Sequence, residues 1–106
     1  MDKNLLKNLT SELKAQLKQA LKGKMVNLIL FGSFARGDYA EGSDVDFVLL
    51  LNEKLSKQEE EKLSEISAQL SLKYDTVVMC LEYLKEDFEK SSSPFIQNVK
   101  REGIRI

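Results

Sequence analysis

The sequence predicts a small α/β (α+β) domain in which α-helices pack on a mixed β-sheet, and three patterns support this fold class. The N-terminal segment repeats leucine at helical spacing, which is typical of an amphipathic helix. Two short stretches rich in apolar residues, 25–31 and 44–51, have the length of strands. A capping-box pattern from Ser56 to Glu59 then opens a further helix. The 106 residues suffice for one core, so we expect a single domain over residues 1–106.

The first half of the chain is predicted to contain two helices and two strands. The opening helix covers residues 3–22, and we expect its leucine face to be core rather than a groove for a partner. Gly23 ends that helix, since glycine is the preferred residue just beyond a helix C-terminus. The elements that follow are a strand at 25–31, a short helix at 33–37, a loop through Gly42 and a strand at 44–51.

The second half is predicted to contain three helices and two strands. The first of these helices runs from 56 to about 74 and carries apolar residues on one face. Ser93 caps the last helix, and Pro94 stands in its first turn, where the fixed φ of proline is favourable. The other elements are a strand at 75–81, a helix at 82–91, the end of the last helix near Gly103 and a possible short strand at 104–106.

Two short polar motifs stand at the ends of the first two predicted strands. Gly32-Ser33 follows the first strand and opens the short helix, whose first N–H groups and positive dipole end suit a phosphate. After a spacer of ten residues come Asp44 and Asp46, whose side chains share one face of the second strand. Two such carboxylates repel each other unless a cation lies between them, and Mg²⁺ binds oxygen ligands of this kind alongside substrate phosphates. The two motifs together predict phosphoryl or nucleotidyl transfer.

The places of these motifs predict how the strands are arranged. Gly32 lies at the end of the first strand and Asp44 at the start of the second, so the motifs can meet if these strands are antiparallel. The helix from 56 to 74 then leads, through a right-handed crossover, to a third strand parallel to the second. This topology sets Asp75, at the head of the third strand, beside Asp44 and Asp46.

These residues resemble the nucleotidyltransferase superfamily of the DNA polymerase β type. Its pattern is Gly-Ser, a spacer and then Asp-x-Asp with apolar neighbours, and residues 32–46 match it. The string Gly-Ser-Phe-Ala-Arg-Gly-Asp at 32–38 is more specifically similar to the minimal nucleotidyltransferases, the antitoxin half of HEPN/MNT toxin–antitoxin pairs. The resemblance implies the nucleotidyltransferase-type fold over the whole chain, as one minimal nucleotidyltransferase domain.

The resemblance also implies roles for the residues of the motifs. Asp44 and Asp46 would be catalytic ligands of Mg²⁺, and two ions are expected. Gly32 and Ser33 would contact the phosphates of a nucleotide. Arg36 follows Ser33 by about one helical turn, so it can face the same triphosphate.

In the family, a third acidic residue on a neighbouring strand completes the site and acts as general base on the attacking hydroxyl. Asp75 is the candidate here, either as that base or as a metal ligand, and the alternative is an ordinary aspartate of a helix-to-strand turn. Glu82, at the far end of the same strand, is a weaker substitute. Asp38 and Glu41 are expected to be loop residues rather than ligands.

Composition excludes several function classes. The net charge of −1, from 16 basic and 17 acidic residues, gives no sign of direct nucleic-acid binding. The chain has no histidine, so acid–base and metal chemistry must use carboxylates. The one cysteine, Cys80, cannot form an internal disulfide and is expected to be a buried strand residue, and no apolar run could cross a bilayer. We therefore expect a cytoplasmic protein in a reducing compartment, without a membrane partner.

These arguments predict a Mg²⁺-dependent nucleotidyltransferase that moves a nucleoside monophosphate, AMP from ATP, onto a hydroxyl. By resemblance, the acceptor is a tyrosine of a HEPN toxin partner, and the protein acts as its antitoxin. One alternative is a binding module that neutralises its partner by contact alone. Two others are a nucleotide sensor that binds without catalysis and a nucleotidyltransferase that modifies small molecules.

Overall fold

Four strands form one mixed sheet, and helices pack on both of its faces. The computed structural model describes all residues, 1–106, and the strands lie in the order β3-β2-β1-β4. The elements in chain order are α1 (Lys3–Leu21), β1 (Met25–Phe31), α2 (Ser33–Arg36), β2 (Val45–Leu51), α3 (Lys57–Lys73), β3 (Val78–Leu84), α4 (Lys85–Lys90), α5 (Pro94–Glu102) and β4 (Ile104–Arg105).

The pairing of the strands agrees with the predicted topology. β1 and β2 are antiparallel, with Phe31 opposite Asp46. β2 and β3 are parallel, with Asp46 opposite Met79. The predicted short strand at the C-terminus is β4, which pairs with β1 through Ile104 and Arg105. The α/β fold class and the mixed sheet are therefore confirmed.

The larger part of the core lies between the sheet and the helices α1 and α3. The leucine face of α1 is core, as predicted, because four of its leucines are fully buried there, while Leu5 at the start of the helix is exposed. They pack with the residues of β2 that point to the same side. Burial of each such side chain stabilises the fold by about 1.5–3 kcal/mol. On this side of the sheet, the fully buried residues of these two elements are Leu9, Leu13, Leu17, Leu21, Val45, Phe47 and Leu49.

A smaller apolar cluster covers the opposite face of the sheet. Ile29 of β1 and Val48 and Leu50 of β2 pack there with Phe88 of α4 and with apolar residues of α5. β2 is thus buried on both faces, as its continuous apolar run predicts. Asp46, two residues before Val48, points to this same face at the start of the strand.

The predicted bounds of the third strand were wrong by three residues. The strand covers Val78–Leu84 rather than 75–81, so Glu82 lies inside it and not at the start of a helix. The reason is the end of α3: Asp75 adopts a left-handed conformation with φ of 50°, and the amide of Thr76 donates to the carbonyl of Ser71. This turn uses the residues that were expected to begin the strand.

No helix of the chain combines the length and the apolar character needed to cross a membrane.

The free thiol of Cys80 lies in β3 and is half-buried, and burial raises its pKa to about 11. A thiol with so high a pKa stays protonated and unreactive at neutral pH.

The start of α3 supplies a test of how the fold depends on pH. The capping box predicted there is present, and Glu59 also accepts a hydrogen bond of 2.6 Å from Nζ of Lys24. That bond, with the amide of Ser56, lowers the pKa of Glu59 to about 2. A depressed pKa stabilises the folded state at pH above the unfolded value, and this contribution is lost as the pH falls toward 2. Glu59→Gln should therefore lower the free energy of unfolding at pH 7, with a difference from the parent that shrinks below about pH 4.5.

Urea unfolding across this pH range measures the difference. Glu61→Gln is the matched control, because Glu61 is an exposed glutamate of the same helix with no ion pair within 4.0 Å. A loss from Glu59→Gln that is the same at pH 7 and pH 3 would show that the carboxylate charge is not the cause.

Candidate active site

The Gly32-Ser33 turn and the carboxylate pair meet at one end of the sheet. Gly32 follows β1 directly, and Phe31 pairs with Asp46, the second residue of β2. A Cβ atom built on Gly32 would lie only 2.6 Å from Oδ2 of Asp46. The antiparallel arrangement thus brings the two motifs together, as the topology argument requires, and their chemical roles remain predictions.

Gly32 is required at this point for two separate reasons. Its φ of 76° and ψ of −155° lie in a region that side-chain-bearing residues rarely adopt. The space where a side chain would begin is filled by the carboxylate of Asp46. Glycine therefore permits both the turn and the close approach of the carboxylate.

The short helix α2 begins directly at this turn. Its N-cap is Gly32, and no side chain caps it. The first N–H groups of any helix have no partner within the helix, so a ligand such as a phosphate can take that place. Phe34 anchors the helix, because it is buried and its ring stacks on Tyr39 at 4.3 Å between centroids. Ser33 is the first residue of this helix, so its hydroxyl lies at the same end of the helix as these N–H groups.

Arg36 ends α2 and contacts two carboxylates. Its Nε lies 3.1 Å from Oδ2 of Asp38, and its Nη1 lies 3.6 Å from Oε2 of Glu102 in α5. Asp38 lies in the loop after α2, as predicted, and its role here is to pair with Arg36. The guanidinium is exposed, and its charge lowers the pKa of Asp46. Arg36 thus acts on the carboxylate pair electrostatically while it remains accessible to a ligand.

Asp44 and Asp46 form an electrostatically unfavourable pair. Asp46 is half-buried and Asp44 is exposed. Burial is the main cause that raises the pKa of Asp46, the charge of Asp44 raises it further, and Arg36 opposes both. The folded chain is therefore less stable when both groups are ionised than it would be if a cation neutralised them.

The donor set of this pair fits Mg²⁺. The donors are carboxylate oxygens, and the chain has no histidine that would favour a softer metal. Mg²⁺ is commonly held by one or two carboxylates, with waters and substrate phosphates as its other ligands. No side chain caps the adjacent turn, which agrees with the phosphate contact predicted for Gly32 and Ser33.

The structure does not gather a third carboxylate into the pair. Nowhere in the chain do three or more His, Cys, Asp or Glu side chains come close enough to hold a metal ion. Asp75 is exposed in the turn before β3. Its neighbour Thr76 donates to the carbonyl of Ser43, so this segment does pass beside the start of β2. The role of Asp75 as base or ligand stays a prediction without a contact to support it.

Glu82, the substitute, lies far from the pair. It stands in β3 beside Leu49, three residues beyond Met79 and on the other face of the strand. Burial raises its pKa, and Glu60 raises it further. Glu82 therefore belongs to a separate carboxylate contact at the opposite end of the sheet.

The residue that sequence reasoning missed is Met79. In the parallel register, it stands next to Asp46 on the neighbouring strand and points to the same face. This is the place where a third carboxylate on an adjacent strand would stand. Apolar residues surround Met79 in the sequence, so only the register of β2 and β3 reveals that it borders the site.

A cleft of about 180 Å³ opens on the other side of the turn, between β1 and α5. Phe31 and Phe95 meet edge to face in its wall, with ring centroids 5.4 Å apart, and Gly32 and Arg36 also line it. This volume is below the usual range of about 300–1,000 Å³ for sites that enclose small molecules. The cleft is therefore too small to enclose a whole nucleotide.

The chain is similar in sequence to a known domain family and to known proteins. A family model described as a nucleotidyltransferase domain matches residues 10–106. A proposed protein adenylyltransferase of Methanocaldococcus jannaschii is 38% identical over 95 residues, which cover 90% of this chain and 92% of that protein.

Solved structures share the fold at lower identity. A proposed minimal nucleotidyltransferase matches with a TM-score of 0.64 and 23% identity, over 100% of this chain and 97% of that chain. A toxin–antitoxin structure with AMP-PNP contains a chain that matches with a TM-score of 0.62 and 22% identity, over 88% and 68% of the two chains. A complex of tri-AMPylated Shewanella oneidensis HEPN toxin with MNT antitoxin matches with a TM-score of 0.50 and 18% identity, over 88% and 70%.

Replacement of Gly32 tests the close approach of Asp46. Gly32→Ala should lower the free energy of unfolding by about 2–5 kcal/mol, since backbone strain and overpacking add. Gly37→Ala is the matched control: its φ is 84°, but a Cβ there would meet no atom within 4 Å. The control should lose only about 1–2 kcal/mol.

Chemical denaturation measures both variants, and Asp46→Ala in the Gly32→Ala background should recover the packing part of the loss. Equal losses from the two glycine replacements would contradict the steric role assigned to Asp46.

Neutralisation of the pair tests its electrostatics without any assay of activity. In EDTA, Asp46→Asn should unfold at a higher temperature than the parent, because the folded state no longer holds two repelling charges. Added MgCl₂ should stabilise the parent and leave Asp46→Asn nearly unchanged. Glu41→Gln, which removes an exposed loop carboxylate, serves as control and should respond to MgCl₂ like the parent. A variant Asp46→Asn that is less stable than the parent in EDTA would refute the repulsion.

Proposed function

The chain belongs to the nucleotidyltransferase domain family, and from this premise we propose that it transfers the AMP group of ATP to a hydroxyl of a protein acceptor, with Mg²⁺ as cofactor. The observation that carries the proposal is the approach of Asp46 to Gly32, which places a carboxylate pair against a turn suited to phosphates. The name of the M. jannaschii relative supports transfer of adenylate to protein.

We propose further that the acceptor is a tyrosine hydroxyl of a HEPN-domain protein, and that the chain acts as the antitoxin of that toxin. The support is the shared fold with the MNT antitoxin that is bound to an AMPylated HEPN toxin. ATP as the donor is supported in the same way by the toxin–antitoxin structure with AMP-PNP.

The proposed reaction is a single displacement at the α-phosphorus of ATP. The acceptor oxygen forms a bond to this phosphorus, and the bond from the phosphorus to the oxygen that bridges to the β-phosphate breaks. Pyrophosphate leaves with that oxygen, and the hydroxyl proton passes to a base, for which Asp75 is the proposed residue.

Each part of the site has a proposed task in this reaction. Asp44 and Asp46 would hold Mg²⁺, which supplies charge neutralisation at the phosphates and lowers the pKa of the attacking hydroxyl. The turn at Gly32 and the hydroxyl of Ser33 orient the leaving phosphates through hydrogen bonds. Arg36 exchanges its carboxylate partners for a phosphate, which adds a charge-assisted contact to the leaving group.

Transfer of label from α-labelled ATP tests the assignment. Asp44→Asn and Asp46→Asn should each abolish Mg²⁺-dependent labelling of an acceptor and weaken the binding of AMP-PNP in Mg²⁺, because both variants lose a metal ligand. Glu41→Gln should label at the parent rate. Full activity in either aspartate variant would contradict the site.

Asp75→Asn separates a base from a ligand in the same assay. A lost general base should reduce single-turnover transfer by about 10²–10⁴ and leave AMP-PNP binding unchanged. Transfer at the parent rate would place the base elsewhere. Loss of AMP-PNP binding would make Asp75 a metal ligand instead.

A further inference from the structure

A row of exposed apolar side chains lies directly beside the candidate active site. Val77, Met79 and Leu81 are 53%, 43% and 37% exposed. Val78, between the first two, is buried in the core under α1 and α3. The three side chains therefore point to the opposite face of the sheet, which is the face of Asp46. We name Val77, Met79 and Leu81 the β3 strip.

The strip lies on the side of the carboxylates that is away from the Gly-Ser turn. β2 separates β1 from β3, and Asp46 pairs with Phe31 on one side and with Met79 on the other. Phosphates held at Gly32 would reach Asp46 from the side of β1. In an in-line displacement the attacking oxygen enters opposite the leaving group. The acceptor hydroxyl would consequently arrive from the side of β3.

The chemistry of the strip selects the kind of acceptor. None of its three side chains is charged or offers a strong hydrogen bond, so a small hydrophilic acceptor would find no partner there. β3 is an edge strand, and exposed apolar side chains on an edge strand favour aggregation unless a partner covers them. Among side chains with a hydroxyl, tyrosine has a large apolar ring, and a methionine thioether makes favourable contacts with aromatic rings.

We propose that the β3 strip is the docking surface of the acceptor, and that the acceptor is an apolar polypeptide segment that carries a tyrosine. This inference rests on the proposed transferase function, to which it adds the surface that receives the substrate. The tyrosine ring lies against Met79 with its hydroxyl toward Asp46, and apolar residues on either side of the tyrosine cover Val77 and Leu81.

Binding can be observed without chemistry, because the chain has three methionines, Met1, Met25 and Met79. The protein is labelled with ¹³C at the methionine methyl groups and titrated in Mg²⁺ and AMP-PNP with the peptide acetyl-Leu-Val-Tyr-Val-Leu-amide. The Met79 signal should shift, and those of Met1 and Met25 should not. The hydrophilic peptide acetyl-Ser-Thr-Tyr-Thr-Ser-amide should shift none of them. An unchanged Met79 signal, or equal shifts from both peptides, would overturn the proposal.

A second experiment measures the transfer of AMP to the apolar peptide. Met79→Ser and Leu81→Ser should each reduce labelling from α-labelled ATP by about tenfold or more, with the affinity for AMP-PNP unchanged. Leu72→Ser is the matched control, since Leu72 is 85% exposed in α3 and lies outside the strip. Transfer at the parent rate in Met79→Ser would refute the docking surface but would not contradict the transferase function. A Met79 shift without any transfer by the parent would refute the transferase function but would not contradict the docking surface.

Discussion

The contact between the carboxylate of Asp46 and the backbone of Gly32 is the constraint on which the rest of the site depends. It joins the end of β1 to the start of β2, and it exists only because residue 32 has no side chain. The apolar pattern of β2 holds Asp46 in this position, because Val45 and Phe47, on either side of it, are fully buried under α1 and α3. A slip of the strand by one residue would turn Asp46 into that core. The apolar pattern that stabilises the sheet therefore also determines which way the carboxylate of Asp46 points.

The charges around this contact are unfavourable in the chain alone. Burial and Asp44 together disfavour the ionised form of Asp46, and Arg36 offsets this only in part. Arg36 is itself shared between Asp38 and Glu102. A cation at the carboxylates would relieve the repulsion between Asp44 and Asp46. The two apolar clusters of the core supply the stability that offsets this electrostatic cost.

The sequence predicts most of this architecture because its strongest signals are local. The leucines of α1, the apolar runs of the first two strands and the capping box of α3 each follow from spacing, and all three are present. The predicted start of β3 was wrong because Asp75 adopts a left-handed conformation, and no residue pattern in this segment indicates that turn. The position of Met79 could not be predicted at all, because it depends on how two strands far apart in the chain are aligned. The roles of the site residues, by contrast, are predictions from the chemistry of the two motifs and from the family pattern.

The central claim is that the Gly-Ser turn and the carboxylate pair form one site for a metal and a triphosphate. The most direct measurement replaces Mg²⁺ by paramagnetic Mn²⁺ and records amide NMR signals of the protein with AMP-PNP. The account predicts that stepwise addition of Mn²⁺ broadens the signals of residues 32–34, 44–46 and Met79 first, while those of residues 82–84 at the other end of β3 are lost only at higher Mn²⁺. Broadening centred on the region of Glu82 and Glu60, or spread evenly over the chain, would contradict it.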